Sequence, residues 1–279
     1  MTHPLSGAEA VERSLHKRFR KELWAPFIAA VKRYGLVEEG DRIAVCVSGG
    51  KDSMLLAKLM QELERHTIVP FETRFLAMDP GYSPENRRKI EENAALLGVP
   101  LVIRETDIFA AAEKEIHSPC YVCARMRRGC LYRFARELGC NKIALGHHMD
   151  DVIETTLMAM LYGGQLQGMM PRLNSKNFPG MKLIRPLYCV RERDIQAWCR
   201  YNDLSFIRCA CRMTEHADGG VEERSRRARV KRLIADLEKE DRDVPIRLFS
   251  SLHSVQIDTF PGWVTGGERH LMNGKDEEP

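Results

Sequence analysis

The sequence predicts an α/β protein built on a doubly wound, mostly parallel sheet with flanking helices, an N-terminal helical segment and a small C-terminal helical part. Three observations predict it. Short apolar runs rich in β-branched residues, led by Ile43, Val45 and Val47, alternate with longer stretches of helical spacing. Successive strands separated by helices must pair in parallel, with the helices covering both faces of the sheet. At 279 residues, with 44% apolar and 29% charged residues and no apolar run of membrane-spanning length, the chain has the composition of a soluble protein with a sizeable core.

In chain order, Leu15, Phe19, Leu23, Trp24, Phe27, Ile28 and Val31 recur at helical spacing and predict one N-terminal helix from Val11 to Tyr34. Gly35 and Gly40 then lead into the first strand at Arg42, and Lys51 to His66 forms the first crossover helix. Glu72 to Met78 reads as the second strand, Pro84 to Leu97 as a helix ending at Gly98, and Leu101 to Ile103 as the third strand. Lys142 to Gly146 is the fourth, followed by a helix ending at Tyr162-Gly163-Gly164. Gln165 to Gly180 reads as a mobile or substrate-facing loop, Leu183 to Leu187 as an extended piece and Arg191 to Asp203 as a helix. Divided by composition, 1–40 is a helical segment, 41–185 a nucleotide-binding domain and 186–260 a basic helical part. Residues 261–279, polar and without periodicity, read as a disordered tail.

Chemistry concentrates at three places. Ser48-Gly49-Gly50-Lys51-Asp52-Ser53 joins a strand to a helix, where glycines admit a ligand close to backbone N–H groups and the helix N-terminus favours an anion. Its spacing is not that of a Walker A loop. Such a turn can also be a plain βα connection, but Lys51 and the two serines add a cation and hydroxyls. His147-His148-Met149-Asp150-Asp151 follows the fourth strand, at the same strand-end rim where ligands of such sheets sit. One aspartate there can cap the helix while another meets Mg²⁺. The third place is cysteine-rich. Nine cysteines in a chain whose first residues lack the apolar region of a secretory signal point to the cytoplasm and to metal or sulfur chemistry rather than disulfides. Cys120 and Cys123 have ligand spacing at a helix start, though such a pair can also be a redox couple or chance; Cys209 and Cys211 form a second group, and Cys130 and Cys140 read as packed thiols. A net charge of +4 is too mild to demand a nucleic-acid partner. The dense run Arg224 to Arg232 is either a solvated helix face or an RNA-backbone contact.

The Ser48–Ser53 run resembles the signature of the PP-loop ATP pyrophosphatase superfamily. With Cys120-x-x-Cys123 followed by Arg125, Arg127, Arg128 and Gly129, and with Gly146-His147-His148-x-Asp150-Asp151, the chain from Ser14 to Gln256 resembles the tRNA 2-thiocytidine synthetase (TtcA) family. That resemblance implies ATP-dependent thiolation of a cytidine in the tRNA anticodon loop. It implies ATP bound by Ser48, Gly49, Gly50, Lys51, Asp52 and Ser53, with Met78, Gly146, His147 and Asp150 completing the pocket and Asp151 on Mg²⁺. Lys51, Asp52, Asp151 and Cys209 would act in catalysis. A [4Fe–4S] cluster on three cysteines is implied, of which Cys120 and Cys123 match the first pair. The third is Cys209 or Cys211, with Cys209 favoured because it ends an extended piece. The family's second C-x-x-C is C-x-C here, a departure that bears on the substrate. A sulfur donor such as a cysteine desulfurase, a homodimer and no membrane association are also implied. Two other readings compete: another adenylating enzyme of the superfamily, lysidine-ligase-like or thiolating a different base, and a zinc-stabilised RNA-binding module without catalysis.

Overall fold

The computed structural model describes residues 7–113, 119–207 and 226–271. Its centre is a six-stranded sheet in the order β3-β2-β1-β4-β6-β5. The strands are β1 (Arg42–Cys46), β2 (Glu72–Asp79), β3 (Leu101–Glu105), β4 (Lys142–Ala144), β5 (Arg172–Asn174) and β6 (Lys182–Ile184). All neighbours pair in parallel except β5, which runs antiparallel to β6 at the edge. From β1 the chain moves to β2 on one side, whereas β4 lies on the other. The cleft between β1 and β4 is therefore the switch point at which such sheets accept ligands.

Helices α3 (Lys51–His66), α4 (Pro84–Leu96), α5 (Ile108–Glu113), α6 (Pro119–Glu137) and α7 (Met149–Gly163) connect or follow these strands, and α8 (Glu192–Tyr201) follows β6. The strands are almost wholly buried at Ile43, Ala44, Val45, Ile143 and Ala144, and α3 buries Met54, Leu55, Leu56, Leu59 and Met60 against them. Burial on both faces explains why β1 is a continuous apolar run rather than an alternating one.

The N-terminal segment is not one helix. It divides into α1 (Gly7–His16), a π-helical turn at Arg20–Trp24 and α2 (Ala25–Arg33). Pro26 supplies the reason: inside a continuous helix its ring would clash with the carbonyl four residues back. The backbone widens instead, with Phe19 N–H donating to the Ser14 carbonyl at 2.8 Å and Trp24 N–H to the Phe19 carbonyl at 3.4 Å.

Two further expectations are corrected. Part of the segment read as a loop, Gln165 to Gly180, contributes β5, whose three exposed residues carry no alternating pattern and are recruited by the edge of β6. The segment read as a disordered tail, 261–279, contains a hairpin of β7 (Gly262–Thr265) and β8 (Glu268–Leu271). Gly266 and Gly267 form its two-residue turn at φ of 62° and 93°, and Trp263 stacks on His270 across the strands at 5.2 Å. That Gly-Gly pair between extended residues was the legible signal.

The basic part forms α9 (Arg226–Glu240) and α10 (Val244–Ser251). Val230 and Ile234 of α9 and Phe249 of α10 share one apolar cluster with Met149, Val152 and Ile153 of α7 and Ala30 of α2. The C-terminal part is thus packed into the nucleotide-binding part rather than standing apart. Among the described residues no helix is long and apolar enough to cross a membrane.

Candidate active site

The loop after β1 is built to stay open. Ser53 Oγ accepts from the Ser48 N–H at 3.1 Å and from the Ser48 hydroxyl at 3.1 Å, and donates to the Gly50 carbonyl at 2.9 Å. These bonds close the loop on itself. Gly50 stands at the N-cap of α3 without a capping side chain, which leaves the first-turn N–H groups and the positive end of the helix for a ligand.

Glycine is required at two positions by contact as well as by conformation. Gly49 has φ of 86°, and a Cβ there would lie 2.5 Å from Ile90 Cγ1 and 2.7 Å from Ile207 Cδ1. A Cβ on Gly146 would meet the backbone of Asp52 and Ser53 at 3.1 Å, so Gly146 lets β4's exit press against the first turn of α3. Gly49→Ala is expected to cost about 1–3 kcal/mol from backbone strain, with further loss from the clash. A thermal-unfolding midpoint unchanged from the parent would contradict it.

A cavity of about 460 Å³ opens beside this loop, lined by Ser48, Gly50, Asp52, Ser53, Met78, Gly146, His147 and Asp151, with Arg127, Arg128 and Leu131 of α6 and Arg227 of α9. Its volume falls in the range of small-molecule sites. Two buried polar atoms at this cavity, Asp52 Oδ1 and His147 Nδ1, have no hydrogen-bond partner among the described residues. Unsatisfied buried atoms are costly, and the nearest charged partner of Asp52 Oδ1 is His148 Nε2 at 3.8 Å, beyond hydrogen-bond reach. Burial first, and then the Arg185 guanidinium, push the His147 pKa down to about 4. The imidazole is therefore neutral at pH 7, and the fold loses stability as pH falls from 6.5 through 4, because the unfolded chain takes up that proton more readily. A proton NMR titration of His147 is expected to place its midpoint near 4; a midpoint at the ordinary histidine value would contradict the burial argument.

The aspartates divide their labour. Asp151 completes a capping box at the start of α7, accepting from the His148 N–H at 3.1 Å while His148 Nδ1 accepts from the Asp151 N–H at 3.3 Å. It also faces the cavity. Asp150, expected beside ATP, does not line it: its carboxylate accepts from Arg191 Nε at 3.0 Å and from the Glu192 N–H at 2.7 Å. Asp150 thereby caps α8 and ties it to α7.

Lys51 opens α3 beside this cavity. Its ammonium pairs with Asp52 at 3.1 Å and with Glu192 Oε1 at 2.9 Å, outside the cavity lining. Burial opposes the charge, but these two carboxylates outweigh it and hold the lysine pKa above its ordinary value. Glu192 is shared with Lys231 of α9 at 2.6 Å. Burial alone would raise the Glu192 pKa, yet hydrogen bonds from Lys231 and Lys51 pull it down to about 2. The Arg191-Glu192 pair, legible only as charge at a helix start, is the junction joining the loop, α7, α8 and α9. The basic run is likewise partly internal: Arg227 pairs with Glu154 at 3.4 Å and approaches Asp151 at 3.9 Å.

Cys123, partly buried against the core, and Cys120 share α6, one turn apart, and that helix continues into Arg127 and Arg128 at the cavity. Cys209 and Cys211 lie outside the described residues. The chain that leads to them passes the loop: Ile207 touches Gly49, and the Ser205 carbonyl accepts from Asn93 Nδ2 at 3.0 Å. Cys140 is buried and Cys130 half-buried, as packed thiols. Cys46, which also lines the cavity, was not foreseen; burial, then Cys140, pushes its thiol up to about 12 and keeps it protonated.

A parallel sheet with an anion-accepting loop at its switch point defines a nucleotide-binding protein of the PP-loop class, and residues 16–213 match the PP-loop domain family. A tRNA-cytidine(32) 2-sulfurtransferase of Geobacter sulfurreducens is 38% identical over 230 residues, covering 81% of this chain and 87% of its own. One from Polaromonas naphthalenivorans is 34% identical over 271 residues, covering 95% and 81%. The chain belongs to the tRNA-cytidine(32) 2-sulfurtransferase family. Among solved structures, the U34-tRNA thiolase NcsA from Methanococcus maripaludis with its [4Fe-4S] cluster superimposes with a TM-score of 0.63 at 20% identity, covering 83% of this chain and 77% of that one. At that identity it shows the shared fold.

Proposed function

We propose that the protein uses ATP to activate a cytidine of tRNA and replaces its C2 oxygen with sulfur. The C2 oxygen attacks the α-phosphorus of ATP, the bond to the β-phosphate oxygen breaks and pyrophosphate leaves. A sulfur nucleophile then adds at C2, and the former carbonyl oxygen departs with AMP. A poor leaving group is thereby exchanged for a good one.

The observation that carries this reading is the cavity at the uncapped α3 N-terminus, lined by Asp52, His147 and Asp151 and by Arg127, Arg128 and Arg227. The α3 amides and Lys51, swung from Glu192, hold the phosphates and stabilise charge as pyrophosphate forms. Asp52 and Asp151 hold Mg²⁺. His147, neutral, offers its Nδ1 to the nucleotide or the base. Arg127, Arg128 and Arg227 draw the tRNA backbone to the cavity mouth. Cys120 and Cys123, with Cys209 or Cys211, hold a [4Fe–4S] cluster, which when bound supplies an iron site that carries sulfur. A cysteine desulfurase is the sulfur source and a homodimer the working assembly under this reading. The names of the relatives favour thiolation over the lysidine-ligase and zinc-module alternatives.

The test is nucleoside mass spectrometry on tRNA from a strain lacking the gene, complemented with parent or Cys123→Ala protein. The parent is expected to restore 2-thiocytidine and to show the broad visible absorption of an iron–sulfur protein after anaerobic purification; the variant is expected to lose both. A colourless parent with full thiolation would sink the cluster assignment. Absence of any restored thiolated base would sink the reaction.

A further inference from the structure

Away from this cavity, at the far end of α3, three side chains converge that nothing in the proposed reaction uses. We infer that His16, Glu62 and His66 form a binding site for a divalent transition-metal cation of the zinc class, which clamps the end of α1 to the end of α3. His16 is the last residue of α1 and His66 the last of α3, with Glu62 one turn before it on the same face. Glu62 Oε2 lies 2.9 Å from His16 Nε2 and 3.5 Å from His66 Nε2. One candidate ligand atom from each residue lies within 4.8 Å of the others.

The two separations from Glu62 bracket the spacing of a coordination shell. Zinc–nitrogen and zinc–oxygen distances of about 2.0–2.2 Å place tetrahedral ligand atoms roughly 3.3 Å apart. Small side-chain adjustments would suffice to admit the ion. Two imidazoles and one carboxylate are also a donor set that suits zinc, with a fourth position left for water. The half-buried His16 and the exposed His66 leave an entry path from solvent.

The surroundings orient these groups. Glu62 is buried, and its other oxygen, Oε1, accepts from Arg65 Nη1 at 2.9 Å, which leaves Oε2 to the histidines. Arg65, which also pairs with Glu62, is itself paired with Glu12, which meets the fully buried Lys58. The His16 ring packs edge-on to Trp24 at 4.7 Å, which limits its rotation. Partners of this kind fix ligand geometry and add to metal affinity. Eleven residues of helix, roughly 17 Å, separate Glu62 from Lys51, so the ion would fasten the N-terminal segment to the sheet rather than take part in ATP chemistry.

The test uses the cluster-loaded full-length protein, equilibrated with Zn²⁺, with zinc and iron both measured so that zinc entering the cysteine site is seen as lost iron. The parent is expected to bind one more zinc per chain than a His16→Ala, His66→Ala double variant, at unchanged iron. His66→Ala alone, at an exposed position, is expected to weaken zinc binding at least about tenfold. Zinc should raise the unfolding temperature of the parent and not of the double variant. Cobalt in place of zinc should give ligand-field bands without thiolate charge transfer. Equal zinc uptake by parent and variants, or a cobalt spectrum carrying thiolate bands that survives in the double variant, would overturn the site.

Discussion

Lys51→Ala is expected to lower tRNA-dependent release of AMP by about 10²–10³-fold, or roughly 3–4 kcal/mol in the barrier, the range seen when one preorganised group is removed from a developing anion. The argument rests on where the ammonium is held. It stands between Asp52 and Glu192 at the start of α3, fully charged and at the edge of the phosphate-accepting helix end. Moving to the phosphates exchanges one pair of anions for another, and the cost is moderate because Lys231 still neutralises Glu192. Removing Lys51 withdraws a positive charge from the reaction while leaving the helix amides in place, so ATP binding should weaken less than turnover falls. The measurement is AMP release with saturating tRNA and varied ATP. A variant with parental turnover would show that the loop does not carry the chemistry.

The second large effect is at Asp151, where substitution can separate two roles. Asn preserves a side-chain oxygen that can accept from the His148 N–H, so the reciprocal bond that Asp151 makes from the third position of α7 is kept. Asp151→Asn should therefore cost only the first-turn charge, up to about 1 kcal/mol of stability, while removing a cavity-facing charge. Turnover is expected to fall about 10²-fold or more, with the Mg²⁺ concentration needed for half-activity rising several-fold, because a neutral amide is a poorer ligand for a hard cation. Asp151→Ala loses the cap as well and should also lower the unfolding temperature. The pair of variants, assayed by thermal unfolding and by AMP release across a magnesium series, reads the two roles apart. Unchanged magnesium dependence in Asp151→Asn would remove that residue from the metal.

Some of this protein was determined by local sequence. The strand, loop and helix around Ser48–Ser53, the parallel sheet and the placement of Met78, Gly146, His147 and Asp151 at its rim follow from periodicity, from glycines and from the rule that ligands sit at strand ends. These are short-range properties: apolar spacing and backbone conformations are carried by residues close together in the chain. What the tertiary structure decided is which of several equivalent charges does what. Sequence could not say that Asp150 caps α8 while Asp151 faces the cavity, or that Lys51 pairs with Glu192. Nor could it join His16 to Glu62 and His66 across 46 residues of chain, or show that Arg227 is spent partly on Glu154. An ion pair depends on which helices are brought together, and that follows from how apolar faces pack, as when Val230 and Ile234 seat α9 on α7. The loop's chemistry was local and therefore legible; its wiring to Glu192, Lys231 and Asp150 is long-range and belongs to the packed structure alone.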